Sequence, residues 1–327
     1  MKKFLLLLFA LMSIVAAQAA SKYDNPDTIV VARDGTGEFR TVAEAVEVCR
    51  AFMEYHKVIY VKKGVYKEKV IIPSSLTNIE ICGEDRDNTI ITFDDHANIK
   101  DERVPGSSHA LGTFRTYTLK VEGSDITLKN ITIENNAAKL GQAVALHTEG
   151  DRLIFVNCRF LGNQDTVYTA RANTRLYFLD CYIEGTTDFI FGPSTAWFEG
   201  CQIHSKANSF VTAASTPQDV TYGYVFNKCR LTADADVTKC YLGRPWRQYA
   251  YTLFMNCELG SHIVPAGWDD WKKEHALIRY AEYANTGAGA NTSQRVDWAK
   301  NLTKKEAQKI TMGEVFGITN GWQPTVK

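Results

Sequence analysis

The sequence predicts an all-β solenoid: a right-handed parallel β-helix with a short N-terminal capping helix and a C-terminal tail packing on the coil. Three observations predict it. The first is a segment repeated at a fixed offset. Cys158 lies seven residues before Asp165, Cys181 lies seven before Asp188, and both the cysteines and the aspartates are 23 apart. The neighbours match as well: Phe160 with Ile183, Gly162 with Gly185, Gln164 with Thr187 and Tyr168 with Phe191. Equal offsets of this kind mark successive units of a repeat. The second is the pattern x-Cys-x-apolar, centred on Cys158, Cys181, Cys201, Cys229 and Cys257 in steps of 23, 20, 28 and 28 residues. One unit earlier, Asn130-Ile131-Thr132-Ile133 fits with Ile131 in the cysteine's place. The third is that each unit holds short runs of Val, Ile, Phe, Tyr and Thr broken by Gly, Asn and Asp, with no long helical segment between them. Those are strand and turn signals. Equivalent residues of successive coils then stack about 4.8 Å apart. Asp165 and Asp188 become neighbours on one outer face, two carboxylates within reach of one small substrate.

The elements follow in order. Residues 1–20 read as a secretory leader: Lys2 and Lys3 start it, an apolar run follows, and Ala17-Gln18-Ala19-Ala20 offers small residues for cleavage. No later segment is long and apolar enough to span a membrane. Residues 29–33 read as a strand, and Asp34-Gly35-Thr36-Gly37 as a turn that lacks the third glycine of a dinucleotide loop. Residues 41–55 read as an amphipathic helix that caps the open end of the solenoid. Thr41 with Glu44 makes a capping box, and Val42, Ala45, Val46, Cys49, Phe52 and Met53 form its apolar stripe. Residues 58–61 and 79–82 read as strands, and 96–111 as a loop. From residue 118 to 259 the repeat dominates. Residues 263–271 break the strand pattern, 279–283 resemble one more strand, 285–290 read as a loop, and 304–312 as a short terminal helix. No Pro/Gly/Ser linker interrupts residues 21–327, which are read as one domain.

Composition narrows the function. The chain carries 37 basic and 37 acidic residues, and removing Lys2 and Lys3 leaves 35 against 37, a net of −2. That gives no basic stripe for nucleic acid. Eight cysteines in an exported chain would ordinarily suggest disulfides. Five of them fall on the repeat, where an inward-facing ladder of free thiols behaves as small apolar side chains. With no C-x-x-C spacing and no H-E-x-x-H, neither a metal centre nor a cofactor is expected. The absence of G-x-S-x-G disfavours a serine hydrolase.

Five features carry chemistry: Gln142 in Gln142-Ala143-Val144-Ala145-Leu146, Gln164 with Asp165, Asp188 in Asp188-Phe189-Ile190-Phe191-Gly192, Arg244 in Leu242-Gly243-Arg244-Pro245-Trp246, and Trp246 itself. Two aspartates in apolar and aromatic company need a partner or a task. Turn formation with solvated carboxylates is the plainer alternative for them, an amide ladder for the glutamines, a surface ion pair for Arg244, and core packing for Trp246 and Tyr168. His147 and His204 read as solvated or hydrogen-bonded rather than as ligands.

In this order these segments resemble the signatures of the pectin methylesterases, carbohydrate esterase family 8: Q-A-V-A-L, G-x-Q-D-T-L-Y, D-F-I-F-G and L-G-R-P-W. Gly64-x-Tyr66-x-Glu68, Gly267-Trp268 and Glu282-Tyr283-x-Asn285 resemble further family patterns, and Val167 departs from the usual Leu. The resemblance covers residues 29 to 299. It implies hydrolysis of galacturonate methyl esters in pectin, the polymer partner. Asp188 would be the nucleophile, Asp165 the general acid and then base, and Gln142 and Gln164 the oxyanion donors. Arg244 would hold Asp188 ionised and oriented. Trp246, with Tyr168, Phe191, Thr113 and Tyr249, would line the sugar groove. The enzyme would be a monomer, secreted or periplasmic. β-Helix polygalacturonases and lyases, a non-catalytic polysaccharide binder, and an esterase for another acyl group remain alternatives at this stage.

Overall fold

The computed structural model describes residues 21–100, 109–317 and 322–324, so the leader assigned to residues 1–20 lies outside the described residues. The strands form three parallel sheets of eleven, eight and seven strands, and each sheet takes one strand from successive coils of a right-handed parallel β-helix. One coil shows the plan. Leu153–Val156 belongs to the first sheet, Arg159–Leu161 to the second and Val167–Thr169 to the third; Arg175–Leu179 then returns to the first.

Local sequence sets the corner between the first two sheets. Asn130, Asn157, Asp180, Gly200, Lys228 and Asn256 each precede the repeat position and hold φ between 49° and 63°. Asn, Asp and Gly tolerate that left-handed conformation best, which accounts for the residue type before most of the cysteines. Having turned the corner, the chain buries the next side chain. Cys158, Cys181, Cys201, Cys229 and Cys257 are all buried and unpaired. Each thiol donates to a carbonyl of the preceding coil, those of Leu128, Phe155, Phe178, Phe198 and Phe226, at 3.4–3.6 Å. Mass spectrometry of denatured, unreduced protein should therefore find free thiols at these five positions, and finding them paired would overturn the ladder.

Inside the first sheet, registered residues build a second ladder. Phe155, Phe178, Phe198, Phe226 and Phe254 stack with ring centres 4.3–4.6 Å apart. The next residue in register is Glu282, paired with Arg295 at 2.7 Å, both 4% exposed. Trp268 Nε1 also donates to Glu282. A buried charge needs such partners to be tolerated. Outside the same sheet, Ile154, Tyr177, Trp197, Val225 and Leu253 form an apolar row covered by Val315 and Phe316 of the C-terminal segment.

Two sequence expectations need correction at the ends. The capping helix spans only Val42–Glu47, not residues 41–55. Its start is as expected: Thr41 and Glu44 form the capping box, and Glu68 accepts from the amides of Val42 and Ala43. Past it, Val48 and Cys49 are weak helix formers. The chain leaves the helix, Phe52 takes φ 54° and its amide bonds to Ser75 O, leaving the ring 75% exposed instead of buried. The terminal helix of residues 304–312 is in fact two, Lys304–Ala307 and Met312–Phe316, each started by its own threonine cap. The break lets the second helix set Val315 and Phe316 onto the sheet.

Candidate active site

Strand register brings the two aspartates together. Val167 pairs with Ile190, so Asp165 and Asp188, each two residues earlier, occupy the same point of successive coils. The Asp165 amide donates to Thr187 O at 3.1 Å and the Asp188 amide to Phe210 O at 2.8 Å. Both take left-handed backbone, φ 68° and 50°. Such conformations cost energy and cluster at functional positions. Gln142 lies one coil before Gln164, because the Ala143 amide donates to Gln164 O. The side-chain amides of Gln142 and Gln164 make no hydrogen bond to the protein among the described residues, and both face the same cleft.

Arg244 arrives from two coils beyond Asp188. Its strand, Tyr241–Gly243, pairs with Phe210–Ala214, which pairs in turn with Ile190–Gly192. A Cβ on Gly243 would overlap Thr212 Oγ1, so glycine permits this close approach. Between Arg244 and the Asp188 coil the sheet presents Ala213, small enough for a long side chain to pass. Arg244 Nε donates to Asp188 Oδ1 at 3.0 Å and Nη2 to Oδ2 at 2.7 Å, a bidentate pair with the carboxylate only 9% exposed.

The electrostatics separate the two acids. Burial, then the negative charge of Asp188, push Asp165 up to about 8, against the opposing pull of Arg244. Asp188 is also raised, which runs against the expectation that Arg244 holds it ionised, while the bidentate pair fits the expectation that Arg244 orients it. Burial outweighs the Arg244 hydrogen bond and charge, and Asp269 adds to the rise. The ranking survives, since Arg244 bonds directly to Asp188 and acts on Asp165 only through space. The pair thus offers one carboxyl group bound bidentately by a cation and one pushed up far enough to carry a proton at neutral pH.

The cleft encloses about 260 Å³. Gln142, Gln164, Asp165, Asp188 and Arg244 form its polar end, and Thr113, Phe191 and Trp246 lie along it with Phe114, Ala213 and Trp271, which sequence reasoning missed. Phe114 adjoins a loop without periodicity and gave no signal. Trp271 had one: two tryptophans in a segment that no longer builds strand. Tyr168 packs beside the lining, stacked on Phe191 at 4.5 Å and on Phe114 at 4.9 Å. Tyr249 does not line the cleft; its carbonyl is taken by the Arg279 guanidinium. His147 bonds to Glu149 at 3.0 Å, and burial lowers it to about 4, so it is neutral. A larger cleft of about 740 Å³ near the C-terminal segment has Asp297 as its one carboxylate and lacks the paired acids.

Fold and site together define a parallel β-helix protein with an acidic pair facing an aromatic-lined surface cleft. The chain belongs to the pectinesterase family, whose family model, described as Pectinesterase, matches residues 28–318. It is 39% identical over 313 residues to a probable pectinesterase/pectinesterase inhibitor of Brassica napus, covering 91% of this chain and 51% of that protein. It is 40% identical over 306 residues to the pectinesterase/pectinesterase inhibitor U1 of Solanum lycopersicum, covering 88% and 50%. The chain thus spans about half the length of the curated relatives it matches. Among solved structures, pectin methylesterase from carrot superposes with a TM-score of 0.82 at 35% identity, covering 93% of this chain and 96% of that one. Pectin methylesterase PemA from Erwinia chrysanthemi does so with 0.79 at 28% identity, covering 94% and 100%.

Proposed function

We propose that this chain hydrolyses the methyl esters of galacturonate units in pectin, giving pectate and methanol. The observation that carries it is the stacked pair: Asp188 gripped bidentately by Arg244, and Asp165 one coil away, where burial and the Asp188 charge push its carboxyl up to about 8. An Asp188 carboxylate oxygen attacks the ester carbon. The carbonyl oxygen takes negative charge and accepts from the Gln142 and Gln164 amides, which have no other partner among the described residues. As the tetrahedral intermediate collapses, the ester C–O bond breaks and Asp165 gives its proton to the departing oxygen, releasing methanol. What remains is an anhydride between Asp188 and the sugar carboxyl. Asp165, now ionised, takes a proton from water, and the hydroxide opens the anhydride. The acid product leaves with Asp188 ionised and Asp165 protonated again. Trp246, Phe114 and Trp271 offer ring faces for the sugars along the cleft. A saccharide chain as substrate accords with a structurally similar pectin methylesterase solved in complex with a hexasaccharide.

A polymeric substrate accords with export by the leader assigned to residues 1–20. Among the described residues no helix is long and apolar enough to cross a membrane. The sheets run unbroken from coil to coil among the described residues, which supports one domain, and a monomeric enzyme is proposed with it. Incubation with highly methylated pectin tests the proposal. Methanol release supports it; unsaturated or shortened oligosaccharides would point to a lyase or glycosidase instead, and no product to a binder. The chemistry assigns every step to carboxylates and amides. Activity should therefore survive a chelator, and loss that calcium restores would overturn this mechanism.

A further inference from the structure

The guanidinium of Arg244 is held on its faces as well as along its edge. Its central carbon lies 4.0 Å from the Phe210 ring centre and 3.8 Å from that of Trp271. The two rings do not pair with each other among the described residues, so the cation sits between them. Phe210 is itself backed by Tyr241, stacked at 5.2 Å and 25°. The loop carrying Trp271 is tied close by: the Asp269 amide donates to Gly243 O, and the Trp271 amide donates to the Asp269 carboxylate. Both flanking residues are therefore anchored independently of Arg244. Phe210 has a second link to the site, since its carbonyl accepts the Asp188 amide.

We propose that Phe210 and Trp271 are positioning residues that clamp the Arg244 guanidinium in the plane where Nε and Nη2 both meet Asp188. The inference rests on the esterase function proposed above for its catalytic consequence, but not for its geometry. Arg244 crosses two coils to reach its partner, and a side chain of that length has many rotamers. Bidentate bonding requires the guanidinium and the carboxylate to lie nearly coplanar. Aromatic faces attract the cation from above and below and leave its edge free, so the two rings select that plane. The charged groups facing Asp188 are Arg244 and Asp269, and the titratable ones beside them are the protonated Asp165 and the Tyr280 phenol. With Arg244 the one cation among them, loosening it leaves the Asp188 carboxyl dominated by burial and the Asp269 charge.

The test compares Phe210→Leu, which keeps bulk but loses the ring face, with Phe210→Tyr, which keeps the face. The backbone bond to Asp188 survives in both. Phe178→Leu, a change deep in the stack away from the cleft, controls for general loosening. Two readouts are taken: carbon-13 carboxyl NMR titration of Asp188, and kcat and KM for methanol release from methylated pectin. Phe210→Leu should titrate Asp188 at higher pH than wild type and lower kcat roughly tenfold, with KM changed less than about twofold. Phe210→Tyr should restore both. Trp271→Leu should reproduce the titration shift. Equal titrations in Phe210→Leu and Phe210→Tyr, or an equal shift in Phe178→Leu, would overturn the clamp. A wild type that releases no methanol but shows the titration contrast would overturn the esterase proposal and leave the clamp standing.

Discussion

Replacing Asp188 with alanine should leave almost no methanol release from methylated pectin, a loss of roughly 10⁴-fold or more, because the covalent step loses its nucleophile. The variant also carries two structural burdens. Alanine must adopt the left-handed backbone at φ 50°, costing about 1–2 kcal/mol, and Arg244 loses its carboxylate partner. Asp188→Asn meets both objections, since asparagine tolerates that conformation and still accepts a hydrogen bond from Arg244. It should be nearly as inactive while folding normally by circular dichroism. Activity close to wild type in Asp188→Asn would show that the stacked pair is not the catalytic centre.

Asp165→Asn should reduce the rate by roughly 10²–10⁴-fold, the range of general acid–base catalysis, while pectin binding persists. The amide keeps shape and a donor but cannot carry a proton out and back. The pH dependence of the native enzyme belongs to the same expectation. Its rate should fall toward acid as Asp188 protonates, and toward alkali above about 8 as Asp165 loses the proton it must donate. The two limbs report the pair rather than either residue alone. Stability should move the other way. The folded pKa of Asp165 lies above its unfolded value, so the protonated form is the one the fold favours. Its contribution is complete below the unfolded value, about 4, and is lost as pH rises toward 8. Asparagine never ionises. Asp165→Asn should therefore unfold at a higher temperature than wild type at pH 8, with the gap closing near pH 4. A slow variant that is also less stable at pH 8 would point to damage rather than a missing proton.

The repeat made the coil, the pairing of Asp165 with Asp188 and the cysteine ladder legible before any coordinates, because a solenoid translates sequence spacing directly into height along its axis. Arg244 is harder to place this way. It lies two coils from its partner, and its reach depends on Ala213 and Gly243 being small, which no spacing rule announces. The aromatic cleft was half legible. Phe191 and Trp246 sit in recognisable segments, whereas Phe114 follows an irregular loop and Tyr249, three residues after Trp246, is not part of the lining. The helix lengths failed for a different reason. Periodicity described the apolar stripe correctly at Val42, Ala45, Val46, Cys49 and Met53, all buried, but the chain leaves the helix after Glu47 and the Phe52 amide bonds to Ser75 O instead. The raised value of Asp188 depends on how completely the cleft excludes water, a property of the assembled walls and not of neighbouring residues in the chain.

The chemical groups of this site are dealt out one coil at a time: Gln142, then Gln164 with Asp165, then Asp188, and Arg244 two turns on. This makes the solenoid unevenly editable. Whole turns inserted before the Gln142 coil or after the Arg244 coil would lengthen the platform offered to a polymer and leave the reacting groups untouched. A single turn inserted between Asp165 and Asp188 would double their separation to about 9.6 Å, weaken the repulsion that adds to burial in raising Asp165, and put both out of reach of one ester. Descendants of this architecture can therefore diversify in which polymer they grip by growing at the ends, while the central turns that carry the reacting groups are bound to be inherited as a block.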